Sequence, residues 1–259
     1  MNTVKVTLCL FFMLGCGHAF AAKKKPCFKP LSSCPLRGCA KDDTPDAFSN
    51  ISKHNLDPSG EVKTLSFGDF EDLQAQVEKK FDGKYATMTK PDRTRLRNLT
   101  AGGEKVGEGS LVQIVGFIAV KPEKSKPHAN SSGESVNCRL PGTDNNDFHI
   151  SLTPKAGGSE FEGIVVEMIP QKRNENWTTQ RLVKAEQENR AVRVTGQLFF
   201  DNHHKVNNDP ANNIGNQPKR MSLWEIHPIT EFEVCTKSSC DANDSSWKPL
   251  EDLEQGGHS

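Results

Sequence analysis

Asp147, His149, Glu167, Asp201, His203, His204, Glu225 and His227 are carboxylates and imidazoles set in or beside apolar stretches of the chain's second half. These are the ligand types that zinc, manganese and iron(II) take from proteins. An ion so bound lowers the pKa of its water, and a neighbouring carboxylate can then act as general base. The set read as a divalent-metal centre is Asp147, His149, Glu167, Asp201, His204, Glu225 and His227. Two-residue steps put Asp147 with His149, and Glu225 with His227, on one face of a strand each. Nothing in the spacing says that those faces meet. The competing reading is that strand-borne His and Glu pair across a sheet or face solvent.

A second candidate set is aromatic and basic. Phe148 and Trp224 on a barrel wall would offer faces for stacking a base or a sugar, with Arg193, Arg139 or Arg181 near a phosphate. Aromatics at alternating strand positions equally well build a barrel interior. Phosphate-binding Gly-x-x-x-x-Gly-Lys, His-Glu-x-x-His, Gly-x-Ser-x-Gly and Gly-x-Gly-x-x-Gly motifs are absent, and Asp144-Asn145-Asn146-Asp147 lacks the glycine and final Glu of an EF-hand loop.

The 259 residues carry 33 Lys+Arg and 33 Asp+Glu. A balanced chain has no global field to draw in nucleic acid or an anionic membrane. Residues 1–21 have the form of an export signal, with Lys5, an apolar run from Val6 to Leu14 and Ala19-Phe20-Ala21 as cleavage site. Leu14-Gly15-Cys16 offers the alternative of a lipid anchor at Cys16. Cleavage after Ala21 leaves Cys27, Cys34, Cys39, Cys138, Cys235 and Cys240, an even number that in an exported chain favours disulfides over thiolate zinc ligands. Cys235 and Cys240 stand close enough for a local bridge. One of the remaining bonds must then join Cys138 to Cys27, Cys34 or Cys39.

Positioning of the candidate residues falls to a β-rich region. Residues 22–65, rich in Pro, Ser, Lys and Asp, are expected to form a loop-rich arm pinned by disulfides. Residues 66–109 hold a helix over Phe67–Phe81, with Phe70, Leu73, Val77 and Phe81 at helical spacing, and a glycine-rich linker. Residues 110–237 give strands over 111–120, 147–153, 161–169, 191–200 and 221–235, with a helix over 177–188 between the third and fourth. A polar tail covers 238–259. Strand, strand, strand, helix, strand, strand is the order of a five-stranded OB-like Greek-key barrel. Gly116 and Gly196 are expected where strands bend. The Asn-rich insert 207–217 is expected to be a mobile surface loop.

Asp147-Phe-His-Ile-Ser-Leu, Val165-Val166-Glu167 before Pro170, Val192-Arg-Val-Thr-Gly196 and above all Trp224-Glu-Ile-His-Pro228 resemble a group of exported bacterial proteins of uncharacterised function with a single OB-type barrel. Cys34-Pro-Leu-Arg-Gly-Cys39 is similar to their N-terminal arms. The resemblance implies a bacterial, periplasmic or secreted protein and no particular activity. The functional expectation is an exported envelope module that binds an unidentified ligand. The alternatives are a metal-assisted hydrolase of phosphoesters or nucleic acid, and capture of an oligonucleotide or oligosaccharide.

Overall fold

The structure is a computed structural model and describes residues 27, 29–119, 128–129, 133–215 and 217–254. The expected export signal and Cys16 lie outside the described residues. In chain order the helices are α1 Pro45–Lys53, α2 Phe67–Phe81, α3 Lys90–Thr94 and α4 Thr179–Gln187. The strands are β1 Lys63–Thr64, β2 Leu99–Ala101, β3 Glu104–Val106, β4 Leu111–Ile118, β5 His128–Ala129, β6 Phe148–Thr153, β7 Ile164–Met168, β8 Ala191–Phe200, β9 Trp224–Cys235 and β10 Trp247–Pro249.

Five of these strands close a barrel in the order β4–β8–β9–β7–β6, with β6 returning to pair with β4. All contacts in the ring are antiparallel except β7 with β9, which meet in parallel at Val166 and Ile226. With α4 between β7 and β8, this is the OB-like Greek key expected from the element order. Ile150, Leu152, Val166, Val194, Leu198, Phe200, Trp224 and Ile226 fill the interior, α4 adds Leu182 and Ala185, and α2 adds Phe70, Leu73 and Val77 to the same core. Gly196 lies at the bulge between β8 and β9, where a Cβ would stand 2.3 Å from the Pro228 carbonyl oxygen. No larger residue lets those backbones come so close.

Local chemistry explains most boundaries. Ser66 and Asp69 form a reciprocal capping box at the start of α2, and Thr178 caps α4. β7 begins at Ile164 rather than 161, because Ser159 caps a short 3-10 turn over Glu160–Glu162. β9 begins at Trp224 rather than 221, since Gln74 of α2 accepts from Leu223 N and Ser222 Oγ donates to the Phe70 carbonyl. The first of these bonds occupies a backbone N–H that a strand partner would need, and the second ties the segment to α2.

The arm departs from its expected loop-rich form. Thr44 caps α1 with Pro45 at its first position, so a nine-residue helix stands where no apolar period was visible. Cys27–Cys39, Cys34–Cys138 and Cys235–Cys240 are bridged. Both the local bridge and the tie from Cys138 to the arm are thus present. The Asn-rich insert is organised around Asn207, whose side chain is bonded to Asn213, Ile214 and Gln217. Among the described residues no helix is long and apolar enough to cross a membrane.

Candidate functional site

Alternation along the strands sends Ile150, Val166, Leu198 and Ile226 inward, and therefore sends His149, Glu167, Phe199, Glu225 and His227 to the outer wall. There the antiparallel register sets His149 opposite Glu167, and the parallel contact of β7 with β9 brings His227 to the other side of Glu167. Asp147, just before β6, completes the group. The outer wall would normally face water. Here the arm and the turn 134–138 cover it: Asn55 donates to Gln197 of β8, Gln197 donates to the Ser52 carbonyl, and Lys53 at the end of α1 reaches over the Phe199 ring.

The three central side chains are enclosed, with Asp147 and His227 at 0% exposure and Glu167 at 2%. His227 Nε2 lies 2.9 Å from Glu167 Oε2 and 3.1 Å from Asp147 Oδ2. One ligand atom from each residue lies within 4.8 Å of the other two. His149 Nε2 stands 3.2 Å from the second oxygen of Glu167 and 3.3 Å from Glu134, and at 27% exposure it forms the outer edge of the cluster. Asn137 donates to Asp147 Oδ1 at 2.8 Å, leaving Oδ2 turned toward His227. Lys53 Nζ is 3.5 Å from Glu167 Oε2. Glu167 Oε2 is thus ion-paired with His227 and Lys53 without completing a hydrogen bond, and His227 Nδ1 has no hydrogen bond either.

Asp201, His204 and Glu225 belong to a neighbouring group built around Arg220, which the insert after β8 carries back to the barrel. Arg220 Nη1 donates to Glu225 Oε1 at 2.6 Å and to Asp201 Oδ2 at 3.2 Å, and His204 Nδ1 also meets Asp201 Oδ2. The seven residues proposed from sequence thus fall into two groups on one wall, joined electrostatically through Lys53. His203 donates its backbone N–H to Asp201 Oδ1.

Glu134, Asp147, Glu167, Asp201 and Glu225 face Lys53, His149, Arg220 and His227, with His204 beside Asp201 at the exposed edge, and the crowding of buried charge shows in their titration. Burial and the nearby Asp147 push Glu134 up to about 7; burial, Glu167 and Asp201 push Glu225 up to about 7. Burial opposes charge on the imidazoles, yet the carboxylates around them prevail, raising His149 to about 10 and His227 to about 9. Burial would also raise Glu167, but His149, Lys53 and His227 hold it well below the usual carboxylate range. Lys53 is held protonated against burial by Glu167, Glu225 and Asp201.

No family model, curated protein or solved structure matches this chain. Its chemistry rests on the geometry of the cluster.

The aromatic set lies elsewhere. Trp224 is completely buried in the barrel against the Phe200 ring, so it offers no stacking face, contrary to its candidacy from sequence. Phe148 also points inward, and the Arg173 guanidinium lies 3.7 Å from its ring centre. Arg193 is held by both oxygens of Glu233 and lies over Trp247. Arg181 donates to backbone carbonyls of Leu253 and Asn176. Trp224 and Phe148 are spent in the core, and Arg193 and Arg181 are held by partners of their own, so the set offers no common stacking face. The sulfurs of Cys27, Cys39 and Cys138 come together, but each is spent in a disulfide and cannot serve as a thiolate ligand.

Sequence reasoning missed Lys53, Glu134, Asn137 and Arg220. For Lys53 a signal was present in Thr44-Pro45, a cap followed by a first-turn proline, which marks a helix start inside the arm. For the other three there was none, since each reaches the wall from a turn or insert.

Proposed function

We propose that this chain is an exported binding module of the bacterial envelope whose ligand is one divalent transition-metal ion, held by Asp147, Glu167 and His227. The observation that carries this reading is the convergence of Asp147, Glu167 and His227, all buried, with one ligand atom of each within 4.8 Å of the others. Metal–ligand bonds of about 2.0–2.2 Å leave neighbouring ligand atoms about 3 Å apart, the spacing between His227 Nε2 and each of the two carboxylates. Imidazole with two carboxylates suits zinc, manganese or iron(II) better than calcium or magnesium. An ion there would replace the proton on His227 and face the Asp147 and Glu167 carboxylates directly. The same three residues would hold it beneath the arm, away from bulk substrate, and this favours retention of a ligand over turnover. Three disulfides and the signal-like N-terminus support an oxidising compartment.

The test is elemental analysis of protein expressed without a His tag in an oxidising compartment, stripped with chelator and reloaded with zinc or manganese. About one equivalent is expected in the wild type and a small fraction of that in H227A and E167Q. Metal well below one equivalent in the wild type would overturn the proposal. Phosphoester hydrolysis by the loaded protein, lost in H149A and H227A, would replace it with the hydrolase reading.

A further inference from the structure

The turn that supplies Glu134 and Asn137 to the site is stapled from its other side by the arm. Asn137 sits on Asp147, and the next residue, Cys138, is bridged to Cys34, 104 positions away in the sequence. Cys39 N donates to the Ser135 carbonyl at 2.9 Å, and Asn50 of α1 donates to Ser135 Oγ at 3.1 Å. The contact is backbone on backbone: Gly38 has φ +56°, and a Cβ there would stand 2.0 Å from the Ser135 carbonyl oxygen. A second polar path runs in parallel, from the Leu36 carbonyl through His54 to Gln171, whose Nε2 donates to Asn137 Oδ1 at 3.1 Å. Asn137 is completely buried, and both its amide atoms are used in this relay.

From this arrangement we infer that the Cys34–Cys138 disulfide sets the affinity of the metal site, with Asn137 as the positioning residue that transmits it. The inference rests on the metal-binding reading above and adds its regulation. With the bridge closed, Asn137 fixes the Asp147 carboxylate so that Oδ2 faces His227 and Glu167. With the bridge opened by two-electron reduction to two thiols, as a thiol reductant would accomplish, the turn loses its covalent tie to the arm and keeps only the hydrogen bonds of Ser135 and Asn137, so Asn137 holds the Asp147 carboxylate less firmly. The protein would then load metal in an oxidising compartment and hold it poorly in a reducing one. Partners that orient a metal-ligating carboxylate in this way are typically worth about 10–100-fold in affinity.

The experiment is zinc titration against a chromophoric chelator on full-length mature protein. Serine variants are used in place of reductant, so that free thiols cannot bind zinc themselves. C34S/C138S and N137A are each expected to weaken binding about 10–100-fold. Their combination should be no weaker than the poorer of the two, because both cut one path. C235S/C240S, which removes a bridge at the far end of β9, should bind as the wild type does. Wild-type affinity in C34S/C138S would overturn the inference while leaving the metal site standing, whereas absence of zinc binding in the wild type would overturn both. Circular dichroism reports whether C34S/C138S folds. If it does not, N137A, which retains every bridge, decides the matter, and wild-type affinity in N137A would overturn the inference.

Discussion

The buried charge around Arg93 and the buried charge around Glu167 are finished differently. Around Arg93, the guanidinium meets both oxygens of Glu108, the Asn202 side chain and the Phe200 carbonyl, and the Phe200 N–H closes on Glu108. Neither Arg93 nor Glu108 has an unpartnered polar side-chain atom. Around Glu167 the groups are as deeply buried, yet Glu167 Oε2 and His227 Nδ1 are left without hydrogen bonds, as are Arg220 Nε and Glu225 Oε2 beside them. A buried ion pair that only holds structure gains from being fully matched, because each unmatched group keeps its desolvation penalty. The fold gives every such atom a hydrogen bond at Arg93, whereas on the β6–β7–β9 wall it pairs the charges but leaves several of their atoms without one. That contrast is the physical reason to read the wall as a site.

Breaking the matched pair should give the largest effect. E108A strands a buried guanidinium and is expected to cost about 3–5 kcal/mol in urea unfolding, without altering the metal stoichiometry of whatever protein remains folded. Loss of metal binding in folded E108A would erase the distinction between the two clusters.

Lys53→Met should cost less, about 2–3 kcal/mol, although it also removes a buried cation. Glu134 and Glu225 already titrate near 7 and can take up protons in compensation. Saturating zinc should raise the melting temperature of K53M by more than that of the wild type, since the ion then meets uncompensated carboxylates. An equal or smaller gain would mean that Lys53 does not share the site's charge.

The open cluster also predicts a pH signature for the metal-free protein. His149 and His227 have folded-state pKa values raised to about 10 and about 9, so their contribution is full below about pH 6.5 and is lost as pH rises through those values. Glu134 and Glu225, raised to about 7, work in the same direction between about pH 4.5 and 7. Urea midpoints should therefore fall from pH 6.5 to pH 10, and H227A should flatten that fall. A midpoint that stays level in the wild type would contradict the assigned protonation.

Arg193→Ala gives the smallest expected effect. Its paired Glu233 is partly solvated, so about 1 kcal/mol is expected, with no change in metal binding. Weakened single-strand binding in this variant would revive the aromatic and basic face as a site.

The barrel was legible in the sequence because alternation and glycine placement are local signals. Phe148, Ile150 and Leu152 against His149 and Ser151 fixed the face of β6, and Gly196 marked the bend of β8. The candidate residues were legible as types for the same reason. Their grouping was not, because the meeting of His149, Glu167 and His227 depends on two long-range registers, one of them the parallel contact between β7 and β9. Lys53 and Asn137 were hidden more deeply, since a cap in a polar arm and a disulfide to residue 138 put them there. Trp224 shows the opposite failure, where residue type alone suggested a surface that the strand's inward face forbids.

The most direct measurement of the central claim is zinc-edge X-ray absorption on stripped and reloaded wild-type protein. The expected spectrum has only nitrogen and oxygen neighbours at about 2.0–2.2 Å, with one imidazole scattering pattern that disappears in H227A. A sulfur shell at about 2.3 Å, or imidazole scattering unchanged in H227A, would place the metal elsewhere and contradict the assignment of this wall as the site.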